Sequence, residues 1–455
     1  MSPADHLTGL DFVTESTARE RAAKVDEPAW LLADRLDAVR RFGSLPVEPN
    51  RLFTTYLDLR QVHFGDLTPY AEVADDGAAA AASLPAGASA FLHIRDGAVV
   101  GRALSAQARA AGVVVDTFAN VLRSHPALLG EILEGARTLP DDDIFAQLAR
   151  ATYAVGAVVH VPPGVQLREP IVVRWSVGAA GRALVTRTVI HLGKGAQARL
   201  LEEQRSSLDG AMRATRATAD DRQSLWSGTC EVLLDEGATL EVAAEQDLGP
   251  DTSSFITRQA AIGEAATLTW ALAHVGGLLV RSRVDNLLVG RAGTVRQAEI
   301  GFGGGAQTFD LTSYTHHIGR DTTGDLLSKG IFQDRSRGFF KGLIDIQRTA
   351  VGTDSFLGEF AMLLDRKARS VAVPSLEIDQ PDVRRASHSS SVGPIDENQL
   401  FYLETRGLPA DLARKSIVLS FLEPVVARIP LPEAQDRLRE LLDRKWDAGR
   451  TALAA

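Results

Sequence analysis

The spacing of apolar residues changes twice along this chain and divides it into three regions. From residue 1 to residue 154, apolar residues recur mainly every three or four positions, which predicts a mostly helical region. From residue 155 to residue 392, apolar and polar residues alternate between glycine-containing turns, which predicts short strands. From residue 393 to residue 455 the helical spacing returns. The pattern therefore predicts a mainly β core flanked by two helical regions.

The N-terminal region is predicted to contain one strand pair among its helices. Alternation over residues 90–100 predicts two short strands that turn at Asp96-Gly97. Apolar residues at helical spacing predict further helices over residues 30–42, 114–133 and 143–154.

Glycine-containing turns recur at a regular interval in the β region. The turn positions Gly237, Ala265 and Gly293 are 28 residues apart, and so are Gly324 and Gly352. A repeat of strand plus tight turn in this length range is typical of a solenoid. Because no helical stretch separates the strands, the pattern favours a parallel β-helix over a βαβ sheet. An ordinary β-sandwich with chance spacing is the alternative.

The C-terminal region predicts two helices beyond Pro409, a residue that suits the first turn of a helix. In the first helix Ile417, Phe421 and Val425 recur every four residues, and the second covers residues 433–446. These helices either cover the open end of the solenoid or offer an apolar stripe to a partner.

Composition narrows the class of function. The 49 basic and 58 acidic residues give a net charge of −9, which argues against a nucleic-acid binder, because such proteins need a basic surface. It also gives no reason to expect binding to an anionic membrane.

Residues 1–20 do not resemble a secretory signal, and no apolar run of about eighteen residues predicts a membrane span. The single cysteine, Cys230, allows neither an intramolecular disulfide nor a self-contained iron–sulfur or Cys-based zinc site. We therefore expect a cytoplasmic protein.

Three motifs look chemical but have simpler structural explanations. The glycine run at residues 301–306 lacks the Lys-Ser/Thr of a P-loop, so we interpret it as a solenoid loop. Since no complete P-loop is present, we expect this chain to bind no nucleotide and another subunit to supply any ATPase. His316 and His317 are adjacent on a predicted strand and point to opposite faces, which disfavours a shared metal ion. Cys230 is interpreted as small buried filler, with redox or sulfur chemistry as the alternative.

His388 is the strongest candidate for a chemical role. It follows an extended stretch at residues 374–378 and precedes the helical region, and the small residues at 386, 387 and 389–391 leave room beside it. A neutral imidazole is a good ligand for iron. The alternative is a structural histidine whose ring hydrogen-bonds a turn at the end of the solenoid.

Several stretches resemble the SufB/SufD family, scaffold subunits of the bacterial and plastid iron–sulfur cluster assembly system. They cover most of the chain and lie at residues 28–46, 161–165, 340–344, 374–378, 388 and 396–407. The resemblance implies a mostly helical region over residues 1–154 and a right-handed parallel β-helix over residues 155–392. It also implies a C-terminal helical region over residues 393–455.

Two positions indicate which type of this family the chain resembles. SufB-type members carry a sulfur-accepting cysteine where this chain has Ala368, and a glutamate directly after the histidine where this chain has Ser389. Both departures match the SufD type, which keeps the histidine. The family often has Gly-Ala-Thr where this chain has three serines at residues 389–391, so the residues there are still small.

The resemblance implies a complex of one SufB-like, one SufD-like and two SufC-like ATPase subunits. The scaffold subunits would pair through their β-helices, and a transient iron–sulfur cluster would take ligands from the partner's cysteine and from His388. The C-terminal helices would dock the ATPase, with Leu412, Ile417, Phe421 and Val425 as candidate contacts. ATP binding and hydrolysis would then deform the scaffold and open or close the cluster site. In this interpretation the chain itself is not an enzyme.

Other functions stay open at this stage. The chain is alternatively a purely architectural adaptor that rigidifies its partner, recruits one ATPase and helps iron to enter, with His388 only shaping the interface. A solenoid enzyme acting on polysaccharide is a different class, but the sequence shows no recognisable carboxylate pair. In isolation the chain is also a candidate homodimer. The sequence does not indicate the iron donor, the cluster type or whether reduced flavin binds.

Overall fold

The core of the chain is a β-solenoid. A computed structural model describes residues 7, 9–56, 59–65, 67–71, 83–134, 138–178, 180–206, 222–429 and 432–454. The solenoid has about eight turns, and successive core strands alternate between two parallel sheets. The predicted mainly β fold, a parallel β-helix flanked by helices, is confirmed. The β-sandwich alternative is wrong.

The N-terminal region combines helices with a hairpin that closes one end of the solenoid. Its described elements are α1 (Glu15–Lys24), α2 (Ala29–Phe42), a 3-10 turn (Thr54–Tyr56), β1 (Thr68–Pro69), β2 (Ala90–Arg95), β3 (Ala98–Leu104), α3 (Ala106–Ala110), β4 (Val114–Thr117), α4 (Phe118–Ser124), α5 (Pro126–Leu133) and α6 (Ile144–Thr152). The predicted strand pair is confirmed, because β2 and β3 are antiparallel and Asp96 and Gly97 both have positive φ. The helix predicted from residue 114 is wrong at its start. Residues 114–117 form β4 because they pair antiparallel with the first core strand.

Two sheets, named A and B here, form the core. Sheet A contains β5 (Val155–Val161), β7 (Arg182–Leu192), β9 (Ser224–Leu234), β11 (Thr252–Ile262), β13 (Leu279–Leu288), β15 (Thr308–His317), β17 (Arg337–Ile346) and β19 (Arg369–Ile378). Sheet B contains β6 (Ile171–Val177), β8 (Gln197–Ser206), β10 (Thr239–Asp247), β12 (Thr267–His274), β14 (Thr294–Gly303), β16 (Thr323–Phe332), β18 (Asp354–Leu363) and β20 (Arg385–Pro394).

At one corner of the solenoid, turn residues in the left-handed conformation lie above one another in successive coils. Gly237, Ala265, Ala292, Asp321 and Gly352 all have positive φ and are separated by 28, 27, 29 and 31 residues. The backbone N–H of each turn residue donates a hydrogen bond to a carbonyl in the next coil. The pairs are Gly237 to Glu264, Ala265 to Arg291, Ala292 to Arg320, Asp321 to Val351 and Gly352 to Asp382. The turns at positions 237 and 265 are therefore confirmed as equivalent, but the constant period is wrong. Position 293 follows the left-handed residue, and position 324 lies inside β16.

Alternation along the strands separates a lumen from two outer faces. Side chains that point inward, including Trp226 and Trp270, form the apolar core of the lumen. The outer face of sheet A is covered by the N-terminal helices, where Phe145 of α6 stacks on Phe255 of β11 with ring centroids 4.0 Å apart. Sheet A is therefore buried on both faces over most of its length, as is usual for parallel sheets.

Of the three C-terminal helices, the second and third cover the outer face of sheet B. The three helices are α7 (Glu397–Thr405), α8 (Ala410–Val426) and α9 (Pro432–Ala454). Val418 and Leu422 of α8 pack with Ala298 and Ile300 of β14. The alternative that these helices cover the open end of the solenoid is wrong, because they lie along its side, where apolar residues of sheet B need cover. Among the described helices, none has an apolar stretch long enough to cross a membrane.

Candidate functional site

The last coil of the solenoid ends in two free strand edges. Within the described part of the chain, β19 pairs only with β17, and β20 pairs only with β18. Unpaired edges expose rows of N–H and C=O groups and act as templates for another strand. Natural proteins usually cover or blunt such edges. At this end of the solenoid, the described strands therefore leave a row of backbone groups without a neighbouring strand.

Hydrogen bonds at the ends of these strands show which backbone groups face the open edge. Arg369 and Asp379 donate to the coil of β17, and Arg385 donates to Thr353 just before β18. In a parallel ladder alternate residues bond to opposite sides, so the even-numbered residues of both strands direct their backbone groups outward. Pro374 is tolerated in β19 for this reason, because the N–H that it lacks would have faced the open edge.

His388 lies in the middle of β20, not in a turn. Pairing with β18 holds residues 385–394 in a strand in spite of their serines and glycine. The register partner of His388 is Leu357, a fully buried lumen residue. Register partners project to the same face, so the exposed imidazole lies on the lumen face at the open end. Its backbone groups belong to the outward-facing set.

Ala368 and Ser389, the two positions that indicated the SufD type, lie in different environments. Ala368 is fully buried directly before β19, in one apolar cluster with Phe332 and Phe340. Ser389 is exposed beside His388, on the opposite face of β20. Neither position carries a side chain that binds iron or sulfur.

Glu359 is a buried carboxyl next to this end that the sequence reasoning missed. It is 1% exposed, and its register partner is Ser390, two residues after His388. Its Oε2 has no hydrogen-bond partner among the described residues. Burial raises its pKa to about 8, and a hydrogen bond from the backbone N–H of Val373 opposes the rise. The only sequence signal is that the strand alternation places a glutamate among inward-facing positions.

Gly342 makes the space that Glu359 occupies. A Cβ built at Gly342 would lie 2.7 Å from Glu359 Oε1 and 2.3 Å from Leu357 Cδ2. Both distances are well inside van der Waals contact, so any other residue would displace the carboxyl. The glycine in β17 therefore lets the Glu359 side chain lie across the lumen.

Other lumen carboxylates in the described residues have basic partners. Glu202 accepts a hydrogen bond from Arg258 at 2.8 Å, and Glu299 Oε1 lies 2.8 Å from His274 Nε2. Buried charges normally require such partners. Among the described residues, no basic side chain forms an ion pair with Glu359.

The remaining histidine and cysteine candidates have structural settings. His317 is fully buried and hydrogen-bonded to Thr322 at 2.8 Å, while His316 on the opposite face contacts Asp345 at 2.9 Å. The predicted arrangement of one inward and one outward histidine is confirmed. Cys230 is buried in the lumen, and burial raises the pKa of its thiol. No group of three or more His, Cys, Asp or Glu among the described residues is arranged to hold a metal ion.

The glycine run at residues 301–306 lies at the end of β14 and in the loop that follows. The N–H of Gly304 donates to Gln307 Oε1 at 3.0 Å, and the N–H of Gly305 donates to Asp334 Oδ2 at 2.7 Å. Both amides are thus engaged within the protein. The loop borders a cavity of about 550 Å³ between the solenoid and α9, which Lys445 also lines.

The C-terminal candidate contacts differ in exposure. Val425 is fully buried against sheet B, so it offers no side chain to a partner in this structure. Ile417 and Phe421 are half-buried, and the carbonyl of Phe421 accepts a hydrogen bond from Lys329 of β16 at 3.0 Å. Leu412 is 51% exposed. On α7, Phe401 and Tyr402 are 67% and 56% exposed, and neither had been singled out as a contact.

Comparison with known proteins gives a consistent result over most of the chain. The family model "SUF system FeS cluster assembly, SufBD core domain" matches residues 175–421, from β6 to α8. The iron-sulfur cluster assembly protein SufD of Bacillus subtilis is 25% identical over 441 residues, which cover 95% of this chain and 98% of that protein. An iron-sulfur cluster assembly SufBD family protein of Staphylococcus haemolyticus is 23% identical and covers 94% of this chain and 92% of its own length. A SufBD family protein of Staphylococcus saprophyticus is 22% identical with the same coverage.

Proposed function

Because this chain belongs to the SufBD family of the SUF iron–sulfur cluster assembly system, we propose that it is a scaffold subunit of the SufD type that supplies half of a nascent cluster site. The observation that carries the proposal is the position of His388. It is an exposed imidazole on the lumen face of the last strand, beside backbone groups that no described strand satisfies. A cluster held partly by another chain would be easy to release, which suits an assembly site.

The partner in this proposal is a SufB-like subunit that pairs with the free edges of β19 and β20. Its sulfur-accepting cysteine would face His388, and both would ligate the cluster that is being built. The sites at Ala368 and Ser389 support this division of labour, because this chain lacks the cysteine and the glutamate there. In isolation the same edges would allow a second copy of this chain to pair.

A SufC-like ATPase is proposed to dock on the exposed apolar surface formed by Phe401, Tyr402 and Leu412. These residues lie on α7 and at the start of α8, away from the face that packs on sheet B. Of the four predicted contacts, this surface keeps Leu412. It leaves out Val425, which is buried, and Ile417 and Phe421, which are half-buried. The ATPase would bind nucleotide, and this chain would bind none and would act as a scaffold without enzymatic activity. We further propose that the complex works in the cytoplasm, since a single buried thiol suits a reducing compartment.

The test is cluster formation by the assembled complex with His388→Ala. We expect the complex to assemble normally and to yield fewer clusters, measured by absorption and Mössbauer spectroscopy after reconstitution. His125→Ala, which removes an exposed histidine near the other end of the solenoid, is the matched control. An unchanged cluster yield and spectrum in the His388 variant would reject the ligand role and favour the purely architectural adaptor.

A further inference from the structure

We propose that Glu359 is a second iron ligand of this chain and that, with His388, it forms a ferrous-iron site at the open end of the lumen. This inference rests on the proposed scaffold function and names the site at which iron would first bind. The donor chemistry suits Fe(II), which takes imidazole nitrogen together with carboxylate oxygen.

The register of the last two strands of sheet B brings the two side chains together. Glu359 pairs with Ser390, and Leu357 pairs with His388. The Cα atoms of Glu359 and His388 are therefore diagonal neighbours, roughly 8 Å apart from a strand spacing of about 4.8 Å and a two-residue rise. Both side chains leave the same face of the sheet. An ion between them is within reach of the imidazole and of the longer carboxyl side chain.

The last coil places a small residue of β20 next to Glu359. In β20 the residue in register with Glu359 is Ser390, whereas in β19 the lumen-facing residue in register with Gly342 is Pro374, followed by Leu376. An ion bound at His388 would thus meet no bulky side chain of β20 between itself and Glu359. To reach that ion, the carboxyl has to turn from its place beside Gly342 towards the open end.

The carboxyl of Glu359 is only partly satisfied, because it accepts a hydrogen bond from the backbone N–H of Val373 at one oxygen. Its Oε2 has no partner among the described residues, and no basic side chain there forms an ion pair with it. An unsatisfied buried carboxyl costs free energy, which iron would recover. On binding, Fe(II) replaces the carboxyl proton, which leaves to solvent, with no change in oxidation state. Water would fill the other coordination positions in the isolated chain, and the partner's thiolate would replace one of these waters in the complex.

The experiment is Fe(II) binding to the purified full-length chain under anaerobic conditions, by equilibrium dialysis, with Co(II) absorption as a second readout. We expect one ion per wild-type chain, and at least tenfold weaker binding for Glu359→Gln and for His388→Ala. Glu245→Gln is the matched control. Glu245 is also a buried carboxyl of sheet B with an unpartnered oxygen, but it faces outward, so its loss should leave iron affinity unchanged.

A conservative replacement separates a ligand from a structural carboxyl. Glu359→Asp keeps a carboxylate and should bind iron more tightly than Glu359→Gln. A merely structural role would instead favour the isosteric glutamine, and thermal unfolding of both variants would show it. Wild-type iron affinity in Glu359→Gln, or no iron binding by the wild-type chain, would overturn the inference.

These outcomes are distinguishable from failure of the proposed function. If His388→Ala lowers cluster yield in the complex while Glu359→Gln binds iron normally, the scaffold function stands and the iron site falls. If Glu359→Gln weakens iron binding while His388→Ala leaves cluster yield intact, the shared-ligand function falls and the carboxyl site stands.

Discussion

Replacing Ser390 by proline tests whether the free edge of β20 pairs with a second scaffold subunit. Even-numbered residues of β20 direct their N–H groups outward, since Arg385 donates inward to Thr353. Proline at position 390 therefore removes an edge-facing donor and places its ring where a partner strand would lie. The inward donors at residues 389 and 391 stay intact, so the fold should survive.

The expected loss follows from one missing hydrogen bond between chains. The bond itself contributes about 1 kcal/mol, and a partner carbonyl left buried without a donor costs a further 1–3 kcal/mol or so. A total of about 2–4 kcal/mol corresponds to a dissociation constant roughly 30- to 700-fold higher. Steric exclusion by the proline ring adds to this loss.

The assay is titration calorimetry of the chain with the cysteine-bearing SufB-like subunit, accompanied by thermal unfolding. Ser390→Ala controls for loss of the hydroxyl and should bind like the wild type. Ser389→Pro removes an inward donor instead and should lower the unfolding temperature of the chain itself. A folded Ser390→Pro variant with the wild-type dissociation constant would refute pairing through this edge.

Three other outcomes can be checked on the chain or its complex. Lys341→Met should lower the free energy of unfolding in urea titration by about 3–5 kcal/mol, because it leaves two buried carboxylates without the ammonium that they contact. Lys194→Met breaks an exposed pair and should not change this free energy. Equal urea midpoints for the wild type and Lys341→Met would contradict the prediction. Burial lowers the pKa of His317 to about 4, so only the unfolded chain gains this proton as pH falls from about 6.5 to about 4. The free energy of unfolding then falls across that window by up to about 3 kcal/mol. His317→Gln should flatten the dependence of this free energy on pH, and an unaltered dependence would contradict the prediction. Phe401→Glu should abolish copurification of the ATPase with this chain. Val289→Glu changes an exposed residue at a corner of the solenoid and should leave copurification intact. If the ATPase copurifies with both variants, the docking surface is rejected.

Much of the fold could be predicted because its signals are local. Alternation and tight turns recur in every coil, so each strand can be recognised from a window of about ten residues. The errors occurred where pairing with a distant segment overrides local preference. Residues 114–117, for example, form a strand because β5 pairs with them, although their spacing predicted a helix.

The candidate site could be predicted only in part. His388 stood out by its composition and by family resemblance, which need no knowledge of neighbours in space. Glu359 did not, because its place beside the open end depends on strand register across 31 residues. Val425 was predicted as a contact from helical spacing, but spacing alone does not tell whether an apolar stripe faces a partner or the chain's own sheet.

The sequence by itself determined that strands follow helices and precede helices, that one thiol is available, and that a histidine lies among small residues near the last strand. Only the tertiary structure decided which edges stay unpaired, which carboxyl lies in the lumen without a basic partner, and which side of the solenoid the C-terminal helices cover. The physical reason is that periodicity is a property of neighbouring residues, whereas register, burial and unsatisfied hydrogen bonds depend on segments that meet only after the chain has coiled.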